Sequence, residues 1–392
     1  MKTLREGPAT LPALTGYRFV LAFMVIACHG LYSSRLFEPG PTAEALAITA
    51  PLSIVAVSSF FILSGFILTW SAPAGDTVGR FYRRRFVKIF PNHVVTWALM
   101  LLVFAFVVTG PNPMYGFQDN QVSLGEALSN LFLVQNWLYD VQHVMGVNAP
   151  AWSISCEVFF YLLFPALFLL AKKIAPGRLW WWVGGVAALI LLVPLPTFAI
   201  DGPMMAEWAP APHAQVWLVY VFPPVRLLEF GLGILIARLV QTGQWPSLRV
   251  RWAAIPLVLT ILASPVIPAG YLFAAAFALP AALVIPAIAQ ADLEDRRTWL
   301  RRPVVVLLGN ASFALYLVHG PILYALRDLL GPERRFDDLT ALGIVVGFIL
   351  VSQVAALALY RYLEVPMMRR FARPRSTTAS TPSPVPQQAL TT

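Results

Sequence analysis

The sequence predicts an all-α fold, a polytopic membrane bundle of about ten transmembrane helices with both termini cytoplasmic. Hydrophobic residues make up 58% of the 392 positions and charged residues only 12%. The mean hydropathy is +0.70, far outside the range of an ordinary soluble domain. Apolar stretches of about 18 or more residues recur along nearly the whole chain, the pattern of spanning helices; a barrel would show short alternating strands. Lysine and arginine fall mostly on one side of those stretches.

The first span covers residues 14–34. More polar sequence and then further spans follow it, without a small-residue cleavage site, so it reads as a retained helix and not a removed signal peptide. The second span is 51–70, and the third is 93–110, after the basic run RFYRRRFVK. The connection 111–149 contains LGEALSNLFLVQNWL, whose helical spacing suits a short interfacial or re-entrant helix. Spans four to ten follow at 150–171, 180–198, 215–237, 252–267, 271–290, 304–326 and 340–362. Residues 1–373 thus form one transmembrane domain, with no room for a separate soluble one, while the Ser/Thr/Pro-rich tail 374–392 is expected to be disordered.

With the amino terminus inside, the cytoplasmic segments hold most of the cations, and the outer loops hold only Arg35, Arg327, Arg334 and Arg335. The net charge of +9 then reflects orientation and anionic headgroups. Nucleic-acid binding would need a basic patch on a folded soluble surface and is not expected. The two cysteines, Cys28 and Cys156, both lie in apolar segments, which supports neither a disulfide framework nor a thiolate metal site. No metal is expected.

An ionisable side chain within a span costs about 3 kcal/mol on insertion scales, so each one calls for a partner, a watery cavity or a function. Six stand out: Arg18 and His29 in span one, Glu157 in span four, Arg226 and Glu229 in span six, and His319 in span nine. Arg18 and His29 are roughly 16 Å apart along one helix. If span four starts at the outer surface near Pro150, then His29, Glu157 and His319 share one depth in the outer half of the membrane. Arg226 and Glu229, three residues apart, lie on one helix face and suit an intramembrane ion pair that fixes packing. An intramembrane histidine can equally bond a neighbouring carbonyl. The run RFYRRRFVK serves either as a topology signal or as a site for a phosphorylated ligand.

Taken in order, several segments resemble the membrane-bound acyltransferase-3 family, which O-acylates bacterial polysaccharides, lipopolysaccharide and some antibiotics. They are LTGYRFVLAFMVIACH with its Arg18-x10-His29 spacing, FFILSGFILTW, RRRFVKIFP, APAWSISCEVFFYLLFP, VRLLEFGLGILIA, LGNASFALYLVHGPIL and YLEVPMMRR. Two positions depart from the family pattern, Phe90 for a tyrosine and Val158 for a bulkier residue. The soluble hydrolase-like domain fused to some relatives is not expected here. The resemblance implies a bacterial inner-membrane enzyme that moves an acyl group, most often acetyl, from cytoplasmic acyl-CoA to a sugar hydroxyl. Acyl-CoA is a co-substrate, with no permanently bound cofactor. The expected acceptor is an exopolysaccharide or lipopolysaccharide sugar, free or lipid-linked, with a macrolide or similar small glycoside as the alternative.

On this reading Arg18, Arg83, Arg84, Arg85 and Lys88 hold the CoA phosphates. His29 acts as general base or acylated intermediate, and Glu157 bonds it and fixes its tautomer. Tyr316, His319, Ser153 and Ser155 are candidate contacts to the thioester oxygen or the acceptor. Trp137, Trp152, Trp208 and Trp217 suit either sugar stacking or interfacial anchoring. A transporter of a lipid-linked saccharide is the competing class, because the same intramembrane residue types mark substrate paths.

Overall fold

Nine helices among the described residues are long and apolar enough to cross a bilayer. The computed structural model describes residues 10–73, 75–108, 122–206 and 209–372. Lys2, Arg5, Trp208 and the tail from Pro374 onward therefore lie outside the described residues. The helices that position the site are α1 (Pro12–Cys28), α2 (Leu52–Trp70), α3 (Val78–Phe106), α4 (Leu124–Leu131), α5 (Ala151–Lys173), α6 (Leu179–Leu192), α7 (Pro223–Gln241), α8 (Val250–Leu262), α9 (Ala275–Leu293), α10 (Pro303–Leu329) and α11 (Asp338–Leu359). Two short antiparallel strands, Met204–Ala206 and Ala209–Pro212, form the one sheet among the described residues.

Most span boundaries agree with the hydropathy reading to within a few residues, and the exceptions have physical causes. Helix α3 begins at Val78, capped by the Thr77 side chain, which accepts from the Arg80 amide. The basic run is therefore helical and not a loop, and Pro91 lies inside the helix. At 29 residues the helix is about 44 Å long, well beyond the hydrocarbon core of about 30 Å, so it is longer than a span needs. Helix α8 has only 13 residues, about 20 Å. It still runs from the inner end, where the Leu248 amide donates to Gln290, to the outer side, where Leu262 lines a cavity. Span ten continues past its expected end through turns of π-helix to Ala372. Arg327, expected in an outer loop, is buried in the last turn of α10.

The expected short helix in the third connection is present as α4, with a capping box formed by Ser123 and Glu126. It docks on α3 through His93, whose Nε2 lies 3.0 Å from the Asn130 carbonyl, and through the Trp97 indole, which donates to Ala127 at 3.1 Å.

Glycines permit the closest helix contacts, as small residues do in lipid, where tight packing replaces the hydrophobic drive. A Cβ on Gly65 of α2 would sit 2.1 Å from the Phe230 carbonyl oxygen of α7, and one on Gly233 of α7 would sit 2.0 Å from that of Ile62. Parallel helices α1 and α10 meet the same way: a Cβ on Gly309 would lie 1.9 Å from the Thr15 oxygen. The start of α1 is tied to α9 by Asp292, which accepts from the Ala13 amide at 2.8 Å. At its outer end α1 passes into one π-helical turn, His29–Ser33, a local distortion common at functional positions.

Gly309→Ala is expected to separate α1 from α10 and lower the melting temperature in detergent by several degrees. Gly343→Ala, where a Cβ would meet nothing within 4 Å, is expected to melt like the unaltered protein.

Candidate functional site

Two cavities lie back to back in the bundle. The inner one, about 120 Å³, is lined by Arg18 of α1, Ser64 of α2, Arg85 and Lys88 of α3, Ser153, Glu157 and Tyr161 of α5, and Tyr316 of α10. The outer one, about 870 Å³, is lined by His29 and Cys28, the segment 43–51, Trp152, Tyr220, Phe273 and Tyr316. Val57 and Tyr316 line both. The Tyr316 hydroxyl is held by Ser153 Oγ at 2.8 Å, so this pair forms part of the wall between the cavities.

Three of the five expected phosphate-binding residues converge on the inner cavity: Arg18, Arg85 and Lys88. Arg85 and Lys88 are three apart on α3 and share a face. Arg83 is exposed on another face. Arg84 is drawn to Asp76 by a two-pronged ion pair, and that hydrogen bond holds the Asp76 carboxyl below the usual carboxylate range. Arg85 stacks over the rings of Phe81 and Tyr161, 5.8 Å from each centroid. Lys88 pairs with Glu364, which also accepts from Asn92 Nδ2 at 2.7 Å.

Glu364, from the YLEVP segment, and Tyr161 were not among the expected site residues. The available signal was a buried carboxylate in a conspicuous Glu-x-Pro stretch, but its partner Lys88 lay in what read as a loop.

The expected pairing of Glu157 with His29 is not formed. Glu157 Oε2 accepts from the Tyr161 hydroxyl at 3.0 Å, and with that proton committed, Ser64 donates to the Tyr161 oxygen at 3.2 Å. The cause lies in where α5 starts. Asn148, Ala149, Pro150 and Ala151 are buried, and a Cβ on Gly320 of α10 would lie 2.8 Å from Asn148 Oδ1. The helix therefore begins inside the protein at the level of His319, and Glu157, six residues on, sits about 9 Å deeper, among the cations. The assumption that span four starts at the outer surface fails here.

His29 instead meets His319. Its Nδ1 lies 2.9 Å from His319 Nε2, with ring centroids 5.1 Å apart. His319 Nδ1 lies 3.2 Å from the Leu315 carbonyl. His319 is fully buried and lines neither cavity, so it is placed behind His29 and not against an acceptor. Ser155, also buried, donates to the Leu133 carbonyl at 2.7 Å and serves the packing of α5. Of the aromatic candidates, Trp152 lines the outer cavity, while Trp137 is exposed.

Arg226 and Glu229 form the expected ion pair, 3.0 Å apart and buried. Arg226 also donates to Ser58 at 3.1 Å and lies 5.0 Å from the Phe61 ring and 5.6 Å from the Tyr220 ring. Those rings border the inner and outer cavities, so the pair braces the wall from behind. Among the described residues no cluster of three or more His, Cys, Asp or Glu could hold a metal ion.

The family model described as Acyltransferase domain matches residues 11–361. Acyltransferase MdmB of Streptomyces mycarofaciens is 38% identical over 97% of each chain. The peptidoglycan O-acetyltransferase OatA of Listeria monocytogenes is 25% identical over 44% of this chain and 26% of that protein. A putative O-acetyltransferase of Staphylococcus aureus, SACOL0978, is 22% identical over 80% of this chain and 52% of that protein. The chain thus spans only part of the latter two.

Either single substitution, Arg226→Met or Glu229→Leu, leaves a charge buried without its partner and is expected to destabilise the protein by about 3 kcal/mol in detergent unfolding. The double substitution removes both charges and is expected to recover most of that loss.

Proposed function

This chain belongs to the acyltransferase family, a multi-pass membrane protein, and on that premise we propose that it transfers an acyl group, most simply acetyl, from cytoplasmic acyl-CoA to a sugar hydroxyl presented from outside the bacterial inner membrane. The observation that carries the reading is the pair of abutting cavities, one lined by cations and one containing His29, that meet at Val57 and Tyr316.

Arg18, Arg85 and Lys88 suit the phosphates of CoA, since guanidinium groups grip phosphate through paired hydrogen bonds. A cavity of about 120 Å³ suits a thin pantetheine arm, with the nucleotide left at the cationic mouth. The arm points the thioester at the Tyr316 wall, with His29 beyond it. His29 takes the proton of the acceptor hydroxyl as its oxygen attacks the thioester carbonyl; the C–S bond breaks and the proton passes to the CoA thiolate. The products are an acyl ester and free CoA. The reaction needs the Tyr316 wall to yield, so that thioester and hydroxyl meet.

The outer cavity supports the small glycoside over the polysaccharide as acceptor. Its walls are mainly apolar, with Leu31, Phe37, Ile48, Leu262, Leu272 and Phe273 beside the charged Arg35, Glu44 and Arg335, a surface suited to an amphipathic molecule such as a macrolide and less suited to a hydrated polymer. In addition, the chain covers only 26% of the relative named for peptidoglycan.

Reconstituted in liposomes with isotopic acetyl-CoA and a panel of glycosides, the protein is expected to release CoA and form an ester, and His29→Ala is expected to lose about 100-fold or more in turnover. Unchanged turnover in His29→Ala would sink the mechanism, and acceptor flux that needs no acyl-CoA would favour transport. Arg85→Met is expected to raise the KM for acetyl-CoA about tenfold, as loss of one charge-assisted contact does, while Arg83→Ala changes it less than twofold.

A further inference from the structure

We infer that His319, with the Leu315 carbonyl behind it, is the positioning residue that sets the tautomer of His29 and leaves its Nε2 as the basic nitrogen. The inference rests on the reading of His29 as general base and gives His319 the role expected of Glu157.

The assignment follows from donors and acceptors alone. A carbonyl oxygen only accepts, so His319 Nδ1, 3.2 Å from the Leu315 oxygen, carries a hydrogen. In a neutral imidazole the other nitrogen is then an acceptor. That nitrogen, His319 Nε2, lies 2.9 Å from His29 Nδ1, so His29 Nδ1 must donate. His29 Nε2 keeps its lone pair, and among the described residues it has no hydrogen-bond partner. His29 lines the outer cavity, where an acceptor hydroxyl would arrive.

Free histidine favours the opposite tautomer, with the hydrogen on Nε2, which would present a donor where the reaction needs an acceptor. The fully buried His319 reverses that preference through a chain of two hydrogen bonds anchored on the backbone. No carboxylate bonds either ring among the described residues. When His29 Nε2 takes the hydroxyl proton, its Nδ1 proton can slide to His319 Nε2, so the positive charge is shared by two rings. Each ring keeps its hydrogen bond throughout, and the proton returns by the same path when the thiolate is protonated.

The test is nitrogen-15 NMR of the full chain in nanodiscs with labelled histidine. The His29 signal is identified by its loss in His29→Gln, and turnover is assayed in parallel. The unaltered protein is expected to show His29 protonated at Nδ1. His319→Gln, whose amide oxygen can accept from His29 Nδ1, is expected to keep that tautomer and stay within about tenfold of full turnover. His319→Leu is expected to move the hydrogen to Nε2 and lose about 100-fold or more in kcat with the KM for acetyl-CoA unchanged, as a wrong histidine tautomer does in hydrolase triads. A native His29 protonated at Nε2, a His319→Leu variant that keeps the Nδ1 form, or a folded His319→Gln as inactive as His319→Leu would each overturn the inference. The NMR arm needs no turnover. The expected tautomers with undiminished activity in His29→Ala would instead count against His29 as the base.

Discussion

The close approach of α1 to α10 is the constraint on which the rest of the site depends. With only hydrogen on Gly309, α10 touches the backbone of α1 at Thr15, and with only hydrogen on Gly16, α1 touches the turn at Leu300 that leads into α10. The two helices then run parallel outward until His29 faces His319 across a 2.9 Å hydrogen bond. Each histidine is followed by a glycine that lets a further element press in. Gly30 faces Val345 and Phe348 of α11, and Gly320 faces Asn148 and Pro150 at the head of α5. The histidine pair is thus clamped from both sides by side chains packed close against these glycines, and the inferred tautomer chain needs no charged partner.

The membrane explains why the charges are layered. A carboxylate or guanidinium in hydrocarbon must find a partner, and here several of the buried groups have one. Lys88 has Glu364, Glu157 has Tyr161 among neighbouring cations, and Arg226 has Glu229. The outer cavity holds His29, behind a wall built from the Ser153–Tyr316 hydrogen bond and Val57. The inner cavity gathers Arg18, Arg85 and Lys88, while Arg35, Glu44 and Arg335 share the outer one with His29; on the proposed function, this suits a donor and an acceptor that approach from opposite sides of a bilayer. On the proposed function, the same wall would keep water in the outer cavity away from a thioester in the inner one.

The buried ionisable residues of the spans were legible because an ionisable side chain in an apolar run is conspicuous. His29, Glu157, Arg226, Glu229 and His319 all surfaced for that reason, and the i, i+3 spacing was enough to pair Arg226 with Glu229. Arg85 and Lys88 were read as loop residues and His93 as a span boundary. An amphipathic, cation-rich helix end scores as polar in any hydropathy window, so Glu364 lost its partner in that reading.

The sequence by itself determined that this chain crosses the membrane many times as helices, which side holds the cations, and which few buried groups need a reason to exist. Those properties are local: they depend on transfer free energy and helical period summed over a window. Tertiary structure alone decided that His29 pairs with His319 and Glu157 with Tyr161. Partnership between helices depends on relative depth, and depth depends on where each helix begins. Helix α5 begins not at the lipid surface but buried against Gly320, and hydropathy carries no record of that contact.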